Sequence, residues 1–214
     1  MKLFHVSVGP IGTNCYITVD DEGRGAIVDP GAEADQLVEI MWEHGITPEL
    51  ILLTHGHWDH IGAVKGLRKK FPDIKVAIGK KDVPLLKNSI GSSMWKNMVN
   101  SEDYEGLYAD VEVSEGDTIA AGNLEFSVIE TPGHTPGGVC YIIYDCIFTG
   151  DTLFYHECGR CDLEGGDYPT MLKSLRRLSE IEKNYTVLPG HDRTSTLDEE
   201  RENNRYIKEA LKCD

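Results

Sequence analysis

Short apolar runs separated by glycine and aspartate turns open the chain. Residues 3–8 (LFHVSV), 15–19 (CYITV) and 26–29 (AIVD) have the length and the β-branched content of strands. Over residues 32–45 the period lengthens: Leu37, Ile40 and Met41, with Trp42 adjacent, recur at helical spacing, and Gly45 stands at a C-cap position. Leu50 to Leu53 reads as a buried strand, Ala63 to Phe71 as a helix stopped by Pro72, and Ile74 to Ile78 as a strand. Residues 80–108 carry no clear period and read as short helices and a long loop. Strands resume at 111–113, 117–120, 124–130, 139–144, 146–150 and 186–188, with helices predicted around 169–182 and 197–212. Such alternation in both halves predicts two sheets faced by helices, an α/β layered sandwich.

Composition narrows the setting. The chain has 214 residues, 40% hydrophobic and 27% charged, as an ordinary globular protein does. We read residues 1–214 as a single domain. Its formal charge of −15 repels phosphate backbones, so a small-molecule substrate is expected and no nucleic-acid partner. No run approaches the ~20 apolar residues that span a bilayer, and MKLFHVSVGP reads as a strand without a cleavage site. A cytoplasmic protein without membrane contact is the expectation. Oligomeric state is not legible. There are six cysteines, and without an export signal reduced thiols are expected. Cys158 and Cys161 form a CxxC, for which redox chemistry or half of a zinc knuckle are functional readings. No second CxxC or CxxH completes a four-ligand site, so the pair is read as small loop residues.

The chemistry concentrates in Thr54-His55-Gly56-His57-Trp58-Asp59-His60. Only 8 of 214 residues are histidine, and three fall here, so chance clustering in a solvated loop is a poor account. Imidazole nitrogen and carboxylate oxygen are the donors a cation such as zinc prefers. His55 and His57 are two apart and face one side of an extended segment. Gly56 and Gly62 permit the tight backbone that such crowding needs. Three more donors follow predicted strands: His134 in PGHTPG, Asp151 in GDT and His191 in PGHD. Singly each is weak, since a lone histidine is more often an ordinary surface or core residue. Together they give five histidines and two aspartates, too many for one zinc but suited to two metals sharing a carboxylate.

The set THGHWDH, PGHTPG, FTGDTLF and LPGH, with the early VDPG at 28–31, resembles the metallo-β-lactamase superfamily. The likeness implies a four-layer αββα sandwich with the metals at one edge between the sheets. Within the superfamily, FTGDTLF followed by CGR (158–160) is similar to glyoxalase II, the hydroxyacylglutathione hydrolases. GRCDLEGGD (159–167) resembles a loop of the short form. By this resemblance His55, His57 and His134 hold one metal, Asp59, His60 and His191 hold the other, and Asp151 bridges them. The bridging aspartate argues against a true β-lactamase. Full-length glyoxalase II carries a C-terminal helical domain that supplies basic residues to the glutathione carboxylates; the expectation here is that this clamp is lacking. Arg160 and Tyr168 are the candidate substrate contacts, with Lys80 and Lys81 weaker, and a surface salt bridge is the bland alternative for Arg160.

The activity so implied is binuclear hydrolysis of a thioester such as S-lactoylglutathione by a metal-bridging hydroxide, which Asp59 orients. The cofactors expected are two divalent metal ions, zinc (Zn2+) first, with iron or manganese as alternatives. A thiolate leaves readily, with a pKa of about 8.5, and hardly needs a general acid. The alternatives are a mononuclear iron persulfide dioxygenase, a lactonase or other ester hydrolase of the same fold, and a non-enzymatic zinc module. Structural zinc sites are closed, four-ligand and usually Cys-rich, which argues against the last.

Overall fold

The computed structural model describes residues 1–87 and 99–213. Strands β1 (Lys2–Val8), β2 (Thr13–Val19), β3 (Arg24–Val28), β4 (Thr47–Leu53), β5 (Lys75–Gly79) and β6 (Val111–Val113) form one sheet in that spatial order. The first three run antiparallel, and β3 to β6 run parallel. Parallel neighbours need a crossover. Helix α1 (Ala34–Glu43) supplies the first, and α2 (Trp58–Ile61) with α3 (Val64–Lys70) the second.

The second sheet uses β7 (Thr118–Ala121), β8 (Leu124–Glu130), β9 (Val139–Ile143) and β10 (Cys146–Gly150). A two-stranded ribbon, β11 (Leu153–Phe154) and β12 (Glu157–Cys158), and helix α4 (Tyr168–Ser179) follow. The chain then returns through β13 (Thr186–Pro189) and β14 (Ser195–Thr196), giving the order β14-β13-β10-β9-β8-β7. Helices α5 (Leu197–Asn203) and α6 (Arg205–Ala210) end the fold.

Period-two burial builds the layers. On the first sheet Ile17, Ile27, Ile51 and Val76 face α1 and α3, meeting Leu37, Met41, Val64 and Leu67. The alternate residues Tyr16, Val28, Leu52 and Ala77 face inward against Phe126, Val128, Tyr141 and Phe148 of the second sheet. Cys140, Ile147 and Val187 then point outward to Leu172, Leu175, Leu178, Leu197 and Ile207. Three apolar seams therefore separate four layers, helix, sheet, sheet, helix, as the αββα expectation requires.

The structure departs from the sequence reading in a few places. The helix placed at 197–212 is broken at Asn204, whose backbone is extended (φ −71, ψ 120). Its side chain caps α6 by accepting from Tyr206 N–H at 2.9 Å, and its amide donates to the Glu157 carbonyl oxygen at 3.0 Å. The helix placed at 63–71 begins one residue later as α3, and a further short turn, α2, carries Asp59 and His60. Strands β11, β12 and β14 were not anticipated. In the 80–108 stretch, Lys80–Lys87 and Ser101–Tyr104 are 3-10 turns; residues 88–98 of that expectation lie outside the described residues. Among the described residues, no helix is long and apolar enough to cross a membrane.

Candidate metal centre

Each chemical side chain named from the sequence lies just beyond a strand end at the same edge of the sandwich. His55 and His57 follow β4, and Asp59 and His60 ride on α2. His134 follows β8, Asp151 follows β10, and His191 follows β13. The two sheets are pinned together at this edge. Val139 N–H donates to the Thr54 carbonyl at 2.9 Å, and the Tyr141 hydroxyl to the Leu53 carbonyl at 3.0 Å.

All seven side chains converge. His134 Nδ1 lies 2.6 Å from the Arg160 carbonyl oxygen, so it carries the proton, and its Nε2 lone pair faces His57 Nδ1 at 2.8 Å. The Thr54 hydroxyl donates to Asp29 Oδ2 at 2.6 Å, so His55 Nδ1, 3.1 Å from that hydroxyl, is the donor there. His60 Nδ1 also meets Asp29 Oδ2, at 3.0 Å. Both imidazoles thus turn Nε2 inward. His60 Nε2 lies 3.2 Å from Asp59 Oδ2 and 3.3 Å from Asp151 Oδ1. His191 Nε2 lies 3.2 Å from Asp59 Oδ2 and 3.6 Å from Asp151 Oδ2. Asp151 Oδ2 also lies 3.4 Å from His134 Nε2, so this carboxylate touches both halves of the cluster.

Three inward atoms, His55 Nε2, His60 Nε2 and Asp151 Oδ1, are buried and make no hydrogen bond. Buried polar atoms left unpaired cost about 1–3 kcal/mol each, so three at one point indicate a missing partner common to all. Their chemistry, two imidazole nitrogens and a carboxylate oxygen, is that of cation ligands. Three triads have donor atoms within 4.8 Å of one another: His55, His57 and His134; His55, His60 and Asp151; Asp59, His60 and His191. These residues fit a pair of divalent cations.

Protonation agrees in part. Burial, followed by the neighbouring imidazoles, pushes His55 well below the ordinary histidine range. Burial and then His134 lower His57 to about 4, so both are lone-pair donors at neutral pH. Burial opposes the charge on Asp59 and Asp151, but His60 chief among their neighbours outweighs it and holds both carboxyls low. Burial likewise opposes charge on His60, yet Asp59, Asp151 and Asp29 overcome it and raise its pKa well above the usual value. His191 is raised too: the hydrogen bond to Asp59 and the charge of Asp151 exceed the cost of its burial. Without a cation, protons therefore take the place of positive charge at His60 and His191.

Residues 8–191 match the metallo-β-lactamase superfamily. The chain belongs to that family. Hydroxyacylglutathione hydrolase GloC of Haemophilus influenzae is 30% identical over 210 residues, covering 97% of this chain and 98% of that protein. Among solved structures, BLEG-1 B3 metallo-β-lactamase superposes with a TM-score of 0.88 at 32% identity, covering 96% of this chain and 99% of that one. TTHA1623 in a di-iron-bound form superposes with a TM-score of 0.83 at 33% identity, covering 95% and 100%. Metallo-β-lactamase superfamily membership thus brings similar proteins named as a hydroxyacylglutathione hydrolase and as a metallo-β-lactamase, and the choice between reactions falls to the surroundings of the cluster.

Around that metallo-β-lactamase cluster stand residues the sequence did not mark. Asp29, held at φ 50, orients His60 and Thr54 as described, and also accepts Thr54 N–H at 2.8 Å. Thr13 donates to Asp59 Oδ2 at 3.2 Å. Asn14 donates to the carbonyls of Pro189 and Asp192 at 3.0 and 2.8 Å, and Tyr16 to Pro189 at 2.9 Å, fixing the His191 loop. Only VDPG hinted at Asp29; the others are isolated polar residues paired across long sequence separations. Gly62 and Gly190 are required by close approach. A Cβ at Gly62 would stand 2.3 Å from the Gly31 carbonyl oxygen, and one at Gly190 would stand 2.4 Å from Asp151 Oδ1.

The candidate substrate contacts fare differently. The Arg160 guanidinium is exposed and paired to Asp162 at 2.6 and 2.7 Å, so the bland surface salt bridge describes its side chain; only its carbonyl reaches the cluster. Arg160 and Tyr168 nevertheless line one cavity of about 450 Å³ with Cys158, Cys161 and Tyr206. Lys81 is exposed and pairs with Glu130 at 3.3 Å, and Lys80 is exposed on the same turn. Cys158 and Cys161 are free thiols. Burial first, then Cys161 and Glu157, raises Cys158 to about 12, and burial, then Asp167 and Asp162, raises Cys161 to about 11, which disfavours thiolate redox chemistry. Among the described residues neither joins a group of three metal-holding donors.

Proposed function

We propose that this chain is a binuclear metal-dependent hydrolase that cleaves a thioester, with S-lactoylglutathione as the leading substrate. The observation that carries the reading is the convergence of three unpaired buried donors, His55 Nε2, His60 Nε2 and Asp151 Oδ1, from both sheets. In this reading His55, His57 and His134 would hold one cation and Asp59, His60 and His191 the second, with Asp151 within reach of both sets. When bound, the pair supplies Lewis-acid activation of water and polarisation of the carbonyl under attack. Zinc is the leading candidate on donor chemistry, and the di-iron form of a similar structure keeps iron in view.

The chain's own residues do the rest. Asp59, held by Thr13 and facing His60 and His191, accepts a hydrogen bond from the attacking water and aims it. His134, locked in one tautomer by the Arg160 carbonyl, keeps its lone pair inward. The cavity lined by Arg160, Tyr168 and Tyr206 receives the non-reacting part of the substrate. The likeness to GloC along nearly the whole of both chains supports the hydroxyacylglutathione choice.

The test is purification with metal analysis, followed by turnover of S-lactoylglutathione, a lactone and glutathione persulfide. Two zinc ions per chain and chelator-sensitive thioester cleavage are expected. Asp59→Ala should lower turnover at least ~100-fold in a variant whose near-ultraviolet dichroism shows it still folded. One iron per chain with oxygen uptake on the persulfide would overturn the reading.

A further inference from the structure

Asp82 has no part in the mechanism above, yet it is fully buried, at 0% exposure, in the 3-10 turn Lys80–Lys87 after β5. Its two oxygens are both used. Oδ2 accepts Gly56 N–H at 3.1 Å, and Oδ1 accepts Gly137 N–H at 2.6 Å. Gly56 stands between His55 and His57, and Gly137 closes the turn that carries His134. One carboxylate therefore ties the two segments that present the three imidazoles of one triad. The fit is close: a Cβ on Gly137 would stand 2.3 Å from the Asp82 backbone nitrogen.

Burying a carboxylate is costly unless it is paired and hydrogen-bonded. Among the described residues no lysine or arginine forms an ion pair with Asp82. Stability alone gives a weak reason for a charge here, whereas geometry gives a direct one. A carboxylate presents two acceptors at a fixed span, and an asparagine would turn an amino group toward one of the two N–H donors. We infer that Asp82 is a positioning residue that sets the spacing of the His55, His57 and His134 nitrogens before any cation arrives. The inference rests on the metal reading given under Proposed function.

The experiment is competition of zinc against a chromophoric chelator in the parent and in Asp82→Asn. The parent should show two affinities. In Asp82→Asn one of them should fall about 10–100-fold, the range seen when groups that orient ligands are removed, while the other holds. Equal loss at both sites, or no loss, overturns the inference. A second measurement uses the parent alone: in metal-stripped protein the Gly56 and Gly137 amides should be strongly protected from hydrogen exchange. Exchange at open-chain rates until zinc is added overturns the inference even where the variant does not fold. A parent that binds no zinc sinks the metal reading itself, an outcome separate from a parent with two sites that Asp82→Asn leaves intact.

Discussion

At the residue scale the cluster is an arrangement of lone pairs, and its protons should report on it. His60 and His191 hold protons above the ordinary histidine range in the metal-free fold, while His55 and His57 do not. A cation must displace those protons. Metal uptake near neutral pH should therefore release protons, and apparent affinity should rise with pH until the raised His60 and His191 values are passed, then level off. Calorimetric titration of zinc in two buffers of different ionisation enthalpy measures this. Heats independent of buffer would contradict it. The histidines and aspartates of this set were readable from sequence because a cation needs particular atoms, and few residue types supply them. Asp29, Asp82 and Asn14 were not readable in role, since an isolated polar residue shows its partners only once distant segments meet.

At the element scale the apolar period found the major strands and helices, because each buries at least one face in one of the three seams. It missed β11, β12 and β14, which are two residues each and too short to show a period. It also ran α5 and α6 together. Asn204 is only mildly unfavourable inside a helix and is favoured as an N-cap, so the local sequence leaves both readings open. The break is fixed by a tertiary bond, from Asn204 to the Glu157 carbonyl, together with a local one to Glu200 Oε2 at 2.8 Å. Asn204→Ala removes a cap and leaves buried acceptors short of a donor. It should cost about 2 kcal/mol in urea unfolding. A change within ~0.5 kcal/mol, the range of an ordinary surface substitution, would show that the break is not held by this side chain.

At the scale of the whole molecule, cations drawn from both sheets would act as a rivet across the sandwich edge. The apolar seams do not depend on them, so chelation should leave a folded protein. Saturation at ~1,000 times each dissociation constant adds about 4 kcal/mol per site, so two sites raise the thermal midpoint by about 20 °C for a chain of this size. Scanning calorimetry with and without chelator measures that shift. Because neighbouring seams share a sheet, we further propose that both forms melt in one transition, as a single domain over residues 1–214 would. Loss of all near-ultraviolet dichroism on chelation would instead mark a structural metal site.

The oxygen that fixes the tautomer of His134 belongs to the backbone of Arg160. No codon change at that position deletes a carbonyl. The imidazole inherits its orientation from the path of the main chain, and the guanidinium above is left free to vary. Descendants of this gene could exchange that side chain to suit a new acyl donor without disturbing the ring beneath it.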